Sequence, residues 1–202
     1  MNPISIHSAS HVTEADLAGA RLEARLGATL GKRFGRLDLP SQLALLAVAS
    51  LKVDFAAWSA ERVAICLAAS AGSLPTDVNF WIGRDGVGGP SPTLFAYTLP
   101  SAAAGEIAIH FRLTGPNLCF VGDDQMLLPE GADLIRRGAA DACVCVFSEV
   151  SNAGCAEFTA LPPAATACAL LLERGGSGRK CTEFDRDMKR LCTLISDAKS
   201  AG

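Results

Sequence analysis

The sequence has 202 residues, which is enough for one sizeable hydrophobic core but short for two ordinary domains joined by linkers. A formal net charge of −3 and dispersed basic residues argue against nucleic-acid binding. Half of the residues are hydrophobic, but alanine, glycine and proline interrupt every apolar run well before the roughly 18 residues that a membrane-spanning helix needs. We therefore expect one domain without a membrane segment. The first residues lack a basic region and a long apolar core, which predicts no secretory signal and a cytoplasmic location.

The N-terminal third is predicted to form a strand, two helices and a second strand. Residues 3–12 alternate apolar and polar positions, which is typical of a strand. Residues 14–32 are charged and rich in alanine, and they predict a surface helix capped by Thr13. Asp38 or Ser41 caps the next helix, whose wide apolar face is expected to pack on a central sheet. Residues 62–69 form the next predicted strand.

A helix and a glycine-rich loop are predicted between residues 74 and 92. Residues 74–82, which include Phe80 and Trp81, indicate the helix. The loop at 83–92 contains four glycines and two prolines, so we expect it at the surface. It is a poor candidate for a phosphate-binding loop, because neither Lys-Ser nor Lys-Thr follows and no helix is predicted to begin directly after it.

The segment at residues 98–125 is the most informative part of the sequence. Small residues at 102–105, followed by Ile107, Ile109 and Phe111, predict a buried helix that can approach another backbone closely. Gly115-Pro116 is expected to end this helix, because proline cannot continue it. Residues 117–121 are an apolar run typical of a buried strand, and the polar residues that follow it are Asp123, Asp124 and Gln125.

The C-terminal part is predicted to contain a helix, two strands and a terminal helix. Pro129 suits the first turn of a helix that ends at Gly138. Residues 141–150 and 167–173 read as strands. The predicted domain covers residues 1–174, and residues 175–180 are predicted to be a linker. Residues 181–202 are predicted to hold an amphipathic helix, spanning 182–198, that packs on the same domain.

The eight cysteines indicate neither a disulfide framework nor a metal site. Cys143-Val144-Cys145 places two thiols on one strand face, and no Cys-x-x-Cys pair or histidine follows to complete a zinc site. Buried reduced thiols are expected in the apolar, strand-like runs that contain Cys66, Cys119, Cys143, Cys145 and Cys168. Less apolar surroundings, without a base to activate a thiol, are predicted for Cys155, Cys181 and Cys192. No metal and no cofactor is expected.

Roughly residues 30–173 resemble the first half of the β-ketoacyl synthases, condensing enzymes with the thiolase fold. The family shows a small-residue helix, then Gly-Pro, then a strand and a nucleophilic cysteine, and Gly115-Pro116 and residues 117–121 match this pattern. Residues 37–45 and 63–68 resemble the family's early helix and the strand after it. The resemblance implies an α/β fold of the thiolase type, the N-terminal half of a ketosynthase, with a mixed central sheet and helices on both faces.

The same resemblance implies that this chain is catalytically silent. Alignment on Gly115-Pro116 places the family's nucleophilic cysteine at Asp124, with Gln125 beside it. Aspartates at this turn are expected to cap the following helix rather than to act as an acid–base pair. In the family, the second half supplies two catalytic histidines. No such half is recognisable here, because His7, His11 and His110 lie within or before the first-half resemblance.

A protein partner follows from the resemblance on physical grounds. The two halves of a thiolase fold pack against each other, so one half alone is expected to expose a large apolar face. Family dimers pair the strand before the cysteine across the interface, and the matching strand here is Asn117, Leu118, Cys119, Phe120 and Val121. If unpaired, this strand would be an exposed edge. The alternative is a stable monomer whose terminal helix covers enough of the surface.

Within this family, the chain resembles the chain-length factors of type II polyketide and aryl-polyene synthases. They lack the cysteine, carry glutamine or another residue in its place, and pair as a heterodimer with a full-length ketosynthase. An acyl carrier protein brings the chains. The factor's side chains close the end of the partner's acyl tunnel, and the matching residues here are Leu94, Phe95 and Tyr97. The alternative for each of the three is a packing role in the core.

Two other functions stay open at this point. The chain could act alone in acyl transfer or thioester hydrolysis through Asp124 or a free cysteine, although no nucleophile with a matched base is evident. It could also be a homodimeric scaffold that binds acyl chains or carrier proteins. Neither the product nor the partner's identity follows from the sequence.

Overall fold

A mixed six-stranded sheet forms the centre of the computed structural model, which describes residues 4–18, 22, 31–122, 124–175, 179–180 and 188. Its strands are β1 (Ile4–Thr13), β2 (Val63–Ala69), β3 (Asn117–Val121), β4 (Ala142–Ser151), β5 (Ala164–Arg174) and β6 (Arg179–Lys180). The order across the sheet is β3-β2-β4-β5-β1-β6. Strand β2 runs parallel to β3 and β4, whereas β5 is antiparallel to β4 and β1. Strand β3 therefore lies at one edge.

Helices cover both faces of this sheet. They are α1 (Gly31–Phe34), α2 (Leu39–Ala49), α3 (Leu74–Gly83), α4 (Pro92–Phe95), α5 (Ala102–Phe111) and α6 (Leu127–Arg136). Short 3₁₀ turns occur at Glu14–Leu17, Phe55–Ala57, Ala60–Arg62 and Ala153–Cys155. Helices α2 and α5 share one hydrophobic core with the sheet, and α6 forms a second core on the opposite face. The predicted α/β architecture is confirmed.

Helix α2 is anchored at its start and at its side. The Asp38 carboxylate accepts a hydrogen bond from the backbone N–H of Ser41 at 3.1 Å, which confirms the predicted cap. Near the end of the helix, Ser10 of β1 donates from its hydroxyl to the carbonyl oxygen of Ala47 at 2.6 Å. Most of the helix surface is apolar and buried, so it packs between the sheet and α5.

Helix α5 is buried along its small-residue face, as predicted, but its end differs from the prediction. Ala104 and Ile107 are fully buried, whereas Ile109 points outward and is 59% exposed. The helix ends at Arg112, which adopts a left-handed conformation with φ = 55°. Gly115-Pro116 comes later. A β-carbon on Gly115 would lie 2.3 Å from the carbonyl oxygen of Val63, so this glycine permits close contact with the start of β2.

The predicted surface helix at residues 14–32 is wrong as a single element. Thr13 does cap a turn, because its backbone N–H donates to the Asp16 carboxylate at 2.9 Å. The turn is a 3₁₀ turn that stops at Ala18, whose backbone is extended. Residues 31–34 form α1. Residues 19–21 and 23–30 lie outside the described residues.

The glycine-rich loop is also shorter than predicted, because α4 begins at Pro92. The Ser91 hydroxyl accepts a hydrogen bond from the backbone N–H of Leu94 at 3.2 Å and caps this single turn. The expectation that no helix follows the loop directly is therefore wrong. One turn capped by serine is no phosphate site.

The buried cysteines form a cluster beneath α6. Cys66, Cys143 and Cys145 are fully buried free thiols, and the Sγ atom of Cys143 lies 3.6 Å from that of Cys66 and 3.8 Å from that of Cys145. Cys155, predicted in less apolar surroundings, is also fully buried. Cys168 is disulfide-bonded, so the predicted reduced thiol is wrong there.

Part of the predicted linker belongs to the sheet. Arg179 and Lys180 form β6 and pair with Ile6 and Ser5 of β1. The predicted terminal helix lies outside the described residues apart from Met188, which is helical, fully buried and part of the core beneath α6. None of the described helices combines the length and apolar character that crossing a bilayer demands.

Candidate partner-binding face and active-site position

Among the described residues, strand β3 is the outermost strand of the sheet, and no other described strand pairs with its outer side. It pairs with β2 on its inner side only, from Ile65↔Asn117 to Ala69↔Val121. Asn117 and Val121 are exposed and the three residues between them are half-buried, so the strand, predicted as buried, is only partly buried in the single chain. An open strand edge presents N–H and C=O groups that can pair with another strand.

Both faces of β3 are apolar and partly covered. Cys119 packs against the core beneath α2 and α5, whereas Leu118 and Phe120 pack against the core beneath α6. Burial raises the pKa of the Cys119 thiol, which is free. The strand thus enters both hydrophobic cores while its outer edge remains accessible.

An exposed apolar patch continues from the end of β3. Val121 and Pro100 converge on Gly72: a β-carbon built on this glycine would lie 3.1 Å from Val121 Cγ1 and 3.5 Å from Pro100 Cγ. Gly72 has φ = 59°, a conformation that favours glycine. Val121 is 57% exposed and the neighbouring Leu99 is 63% exposed. We call Leu99, Pro100 and Val121 the apolar patch.

A cleft of ≈ 890 Å³ lies beside α3 and α4. The rings of Phe80 and Phe95 pack together across it, with centroids 5.5 Å apart. Other apolar side chains on its wall stay largely exposed, among them Trp81, Ile82 and Phe158. Several large, accessible apolar side chains in one concave region are typical of a surface that binds a ligand or another protein.

The structure separates the three predicted tunnel residues. Phe95 lines the cleft and is 62% exposed, and Leu94 is half-buried beside it. Tyr97 packs against the core, and its hydroxyl donates to Glu106 Oε1 at 3.2 Å. Arg33 holds the same carboxylate at 3.0 Å. Burial, followed by the charge of Glu106, raises the pKa of Tyr97.

Asp124, which the resemblance predicts at the position of the family's nucleophile, has a partly buried carboxylate. The carbonyl oxygen of Asp124 accepts from the backbone N–H of Leu127 at 3.1 Å, while its carboxylate Oδ2 is buried with no hydrogen-bond partner in the described part of the chain. Helix α6 is capped by Met126 and has no side-chain cap bond, so capping by Asp124 is wrong. The helix begins at Leu127, so Pro129 lies in its first turn, as predicted. Gln125 is exposed, and Asp123 lies outside the described residues.

The histidines contact groups other than these acids and thiols. His7 Nδ1 lies 3.0 Å from Glu173 Oε1, and His11 Nε2 lies 2.7 Å from Thr166 Oγ1. His110 packs edge-on against Phe111, and burial lowers its pKa. None of these contacts joins a histidine to a cysteine or to Asp124.

Sequence reasoning missed most of the cleft and part of the apolar patch. Trp81 and Ile82 were expected only as helix residues, and Phe158 was given no role. The available signal was their density: several large apolar residues sit beside a glycine-rich loop, where an ordinary surface would be polar. Phe158 comes from a distant part of the chain, so only the folded structure shows that it joins them.

Comparison with solved structures defines the fold. The ishigamide ketosynthase/chain length factor matches with 22% identity, a TM-score of 0.66 and 88% coverage of this chain. A ketosynthase (ApeO) in complex with its chain length factor (ApeC) from Xenorhabdus doucetiae matches with 20% identity, a TM-score of 0.61 and the same coverage. A β-ketoacyl synthase from Burkholderia phymatum matches with 15% identity, a TM-score of 0.62 and 86% coverage. The chain thus has the thiolase-like fold of ketosynthases and chain length factors.

The likeness covers unequal shares of those structures. The chain spans 64% of the matched ishigamide chain, 81% of the matched chain in the Xenorhabdus complex and 59% of the Burkholderia chain. No protein-family model matches the sequence, and no curated protein matches it either.

Proposed function

We propose that this chain is a non-catalytic chain-length-factor subunit that pairs with an active β-ketoacyl synthase in type II polyketide or aryl-polyene biosynthesis. The observation that carries this proposal is the open edge of β3, which continues into the apolar patch of Leu99, Pro100 and Val121. Two of the similar structures are described as ketosynthases with chain length factors.

Strand pairing gives the partner its position. A strand of the ketosynthase adds to the outer edge of β3, so that the unpaired N–H and C=O groups of residues 117–121 form a continuous ladder. The apolar patch and the exposed ends of β3 then become buried against the partner. The association is favoured by the removal of apolar surface from water, at roughly 25 cal/mol for each Å².

We propose that the subunit is silent because Asp124 occupies the position that the resemblance assigns to the nucleophilic cysteine. A carboxylate at the position of Asp124 is a poorer nucleophile than a thiolate, and no histidine in the described residues contacts it to act as a base. The partner supplies the cysteine and the histidines, and an acyl carrier protein delivers the chain. We propose that the pair acts in the cytoplasm.

The cleft beside α4 gives the subunit its means of limiting chain length. Phe95 lies on its wall and is more than half exposed, and the Phe80 ring packs against it. An apolar acyl chain that reaches this wall gains favourable burial until a ring blocks further extension. The bulk of Phe95 then sets the length, whereas Leu94 and Tyr97 do not line the cleft and are given no direct part in it.

Co-expression with the ketosynthase from the same gene cluster, with a tag on only one subunit, tests this function. Size-exclusion chromatography with light scattering should give a one-to-one complex, and the purified pair should extend acyl chains, whereas this chain alone should not. A stable monomer or homodimer that never retains the ketosynthase would overturn the proposal. A homodimer that binds carrier protein would instead favour the scaffold function.

A further inference from the structure

A small cavity lies between the start of α2, the carboxyl end of β4 and residues 97–103. The space open to the centre of a water-sized sphere is ≈ 10 Å³. Besides Tyr97, whose hydroxyl donates to Glu106, four residues of its wall have polar side chains, namely Asp38, Ser41, Ser73 and Ser148. The cavity is separate from the cleft beside α4, because no residue lines both.

Two of these side chains have partners within the protein. The Asp38 carboxylate accepts from the backbone N–H of Ser41 at 3.1 Å and from the Thr76 hydroxyl at 2.5 Å. The Ser73 hydroxyl is bonded to the Asp77 carboxylate at 2.9 Å and also lies 3.2 Å from the carbonyl oxygen of Thr98. These contacts fix the orientation of two polar groups on the wall.

The other two side chains are less well satisfied. Ser41 is 1% exposed and Ser148 is 3% exposed. The Ser148 hydroxyl has no hydrogen-bond partner within the described protein, and the Ser41 hydroxyl has only its interaction with the Asp38 carboxylate, which helps to lower the pKa of that group but leaves the oxygen of Ser41 without a donor. A buried hydroxyl without a partner is unfavourable, because folding strips it of the bonds it makes to solvent. Both hydroxyls line the same cavity, although they come from helix α2 and strand β4, far apart in sequence.

We propose that this cavity is a binding site for one ordered water molecule, which bridges the hydroxyls of Ser41 and Ser148. Its size is close to the minimum that a single water needs, and its wall offers the two to four polar partners that buried waters use. The water accepts from one hydroxyl and donates to the other, and the Asp38 carboxylate is a further acceptor on the same wall. This inference does not depend on the proposed function.

The bridge links the two layers beneath the candidate partner-binding face. Ser41 belongs to the helix that packs on the sheet, and Ser148 belongs to the sheet itself. Tyr97, Leu99 and Pro100 also form part of the cavity wall. The water therefore supports the segment that carries two members of the apolar patch.

Urea unfolding of Ser41→Ala, Ser148→Ala and the double variant tests the bridge. Loss of a hydroxyl that binds the water lowers stability, whereas loss of a hydroxyl without a partner leaves stability unchanged or raises it. If water bridges the two hydroxyls, each single variant lowers the folded-to-unfolded ratio by roughly 5- to 30-fold. The double variant then costs less than the sum, because the second hydroxyl has already lost its partner. Single variants as stable as the wild type, or costs that simply add, would overturn the bridge.

Ser151→Ala is the matched control. Its hydroxyl is also buried without a partner in the described residues, but it does not line this cavity. Its loss should leave stability unchanged or raise it. A crystal structure of the wild-type chain gives an independent test: density for one water within 3.2 Å of both hydroxyls is expected, and direct bonds from both hydroxyls to protein atoms would refute the site.

Discussion

Gly131 of α6 lies directly over Cys145 of β4. A β-carbon built on this glycine would lie 2.7 Å from the Cys145 Sγ and 3.0 Å from the Cys143 Sγ. The missing side chain therefore lets the helix approach the cluster of buried thiols. Gly131 and Cys145 both lie in a core without exposed surface, where the neighbouring atoms are closely packed and cannot easily shift.

Gly131→Ala should destabilise the fold despite the better helix propensity of alanine. Alanine gains up to about 1 kcal/mol in a helix interior, whereas overpacking a tight core costs about 1–3 kcal/mol. We expect a net loss of about 1–2 kcal/mol in the free energy of unfolding in urea. Cys145→Ala should recover part of it, because it removes the closer sulfur.

Gly105→Ala is the matched control for that substitution. Gly105 also lies in a helix interior, but a β-carbon there would meet nothing within 4 Å. This variant should gain up to about 1 kcal/mol from propensity alone. If both glycine variants stabilise the protein equally, close packing on the thiols does not explain Gly131.

The sequence predicted the sheet and its covering helices well, because local pattern and burial agree there. Strand β2 and helix α2 are continuous apolar segments whose boundaries were predicted within a few residues. The close fit of Gly131 on Cys145 was not predictable. It depends on the distance between two elements, which no local pattern contains, and a glycine in a predicted helix carries no sign of what it faces.

The Asp38 carboxyl should make stability depend on pH. Burial raises its pKa above the usual value, despite the bonds from Ser41 and Thr76 that oppose the shift. A carboxyl with a higher pKa in the folded chain than in the unfolded chain takes up protons on folding. Its contribution to stability is therefore complete below about pH 4 and falls as pH rises through the raised pKa.

Asp38→Asn should remove this decline and keep a cap oxygen for the Ser41 N–H. Asp38→Ala should lose the cap and leave the Thr76 hydroxyl without its partner, at a cost of about 1–2 kcal/mol. Urea unfolding between pH 3 and pH 8 measures both effects. The same pH profile in the wild type and in Asp38→Asn would show that Asp38 does not titrate in this range.

Glu106→Gln should lower the pKa of Tyr97 towards its usual value. Burial is the main cause of the raised pKa and remains in the variant, but the charge of Glu106 is removed and the Tyr97 hydroxyl then faces a neutral amide. Arg33, no longer neutralised, lowers the pKa further. The chain contains one tyrosine, so an alkaline titration by ultraviolet absorbance reports on this ring alone. Glu61→Gln, which changes a carboxylate that does not contribute to the shift, should leave the titration unaltered.

Val121→Lys should prevent association with the ketosynthase while leaving the chain folded. The side chain is 57% exposed in the single chain, so a lysine there can reach solvent. Within the proposed interface its charge would be buried without a partner, at about 3–5 kcal/mol, which weakens binding more than about 100-fold. Retention of the untagged subunit on an affinity column measures the effect.

Val87→Lys is the control for that surface change, because Val87 is fully exposed on the loop before α4. It should copurify with the ketosynthase as the wild type does. If Val121→Lys also copurifies normally, and circular dichroism shows both variants folded, the partner does not use the end of β3.

The candidate face was predictable only in part. The edge strand followed from the resemblance and from its apolar run. The separation of Phe95 from Tyr97 did not, because two residues of sequence do not reveal which way each ring turns. Tyr97 turns inward because Glu106 and Arg33 offer its hydroxyl a charged partner, and both come from other elements. The cleft in turn needs Phe158, which lies more than sixty residues away in sequence.

Phe95→Ala should lengthen the product made by the reconstituted pair. Removing the ring enlarges the cleft at the place where Phe95 now packs against Phe80. Each further methylene of the acyl chain that is buried there is favoured by about 0.8 kcal/mol. Mass spectrometry of the released acyl chains measures the shift. Tyr97→Phe should leave the product distribution unchanged, because it removes the bond to Glu106 but keeps the ring outside the cleft. An unchanged distribution in Phe95→Ala, with the complex intact, would contradict the role of this cleft, whereas a longer product in both variants would place the tunnel along the whole segment.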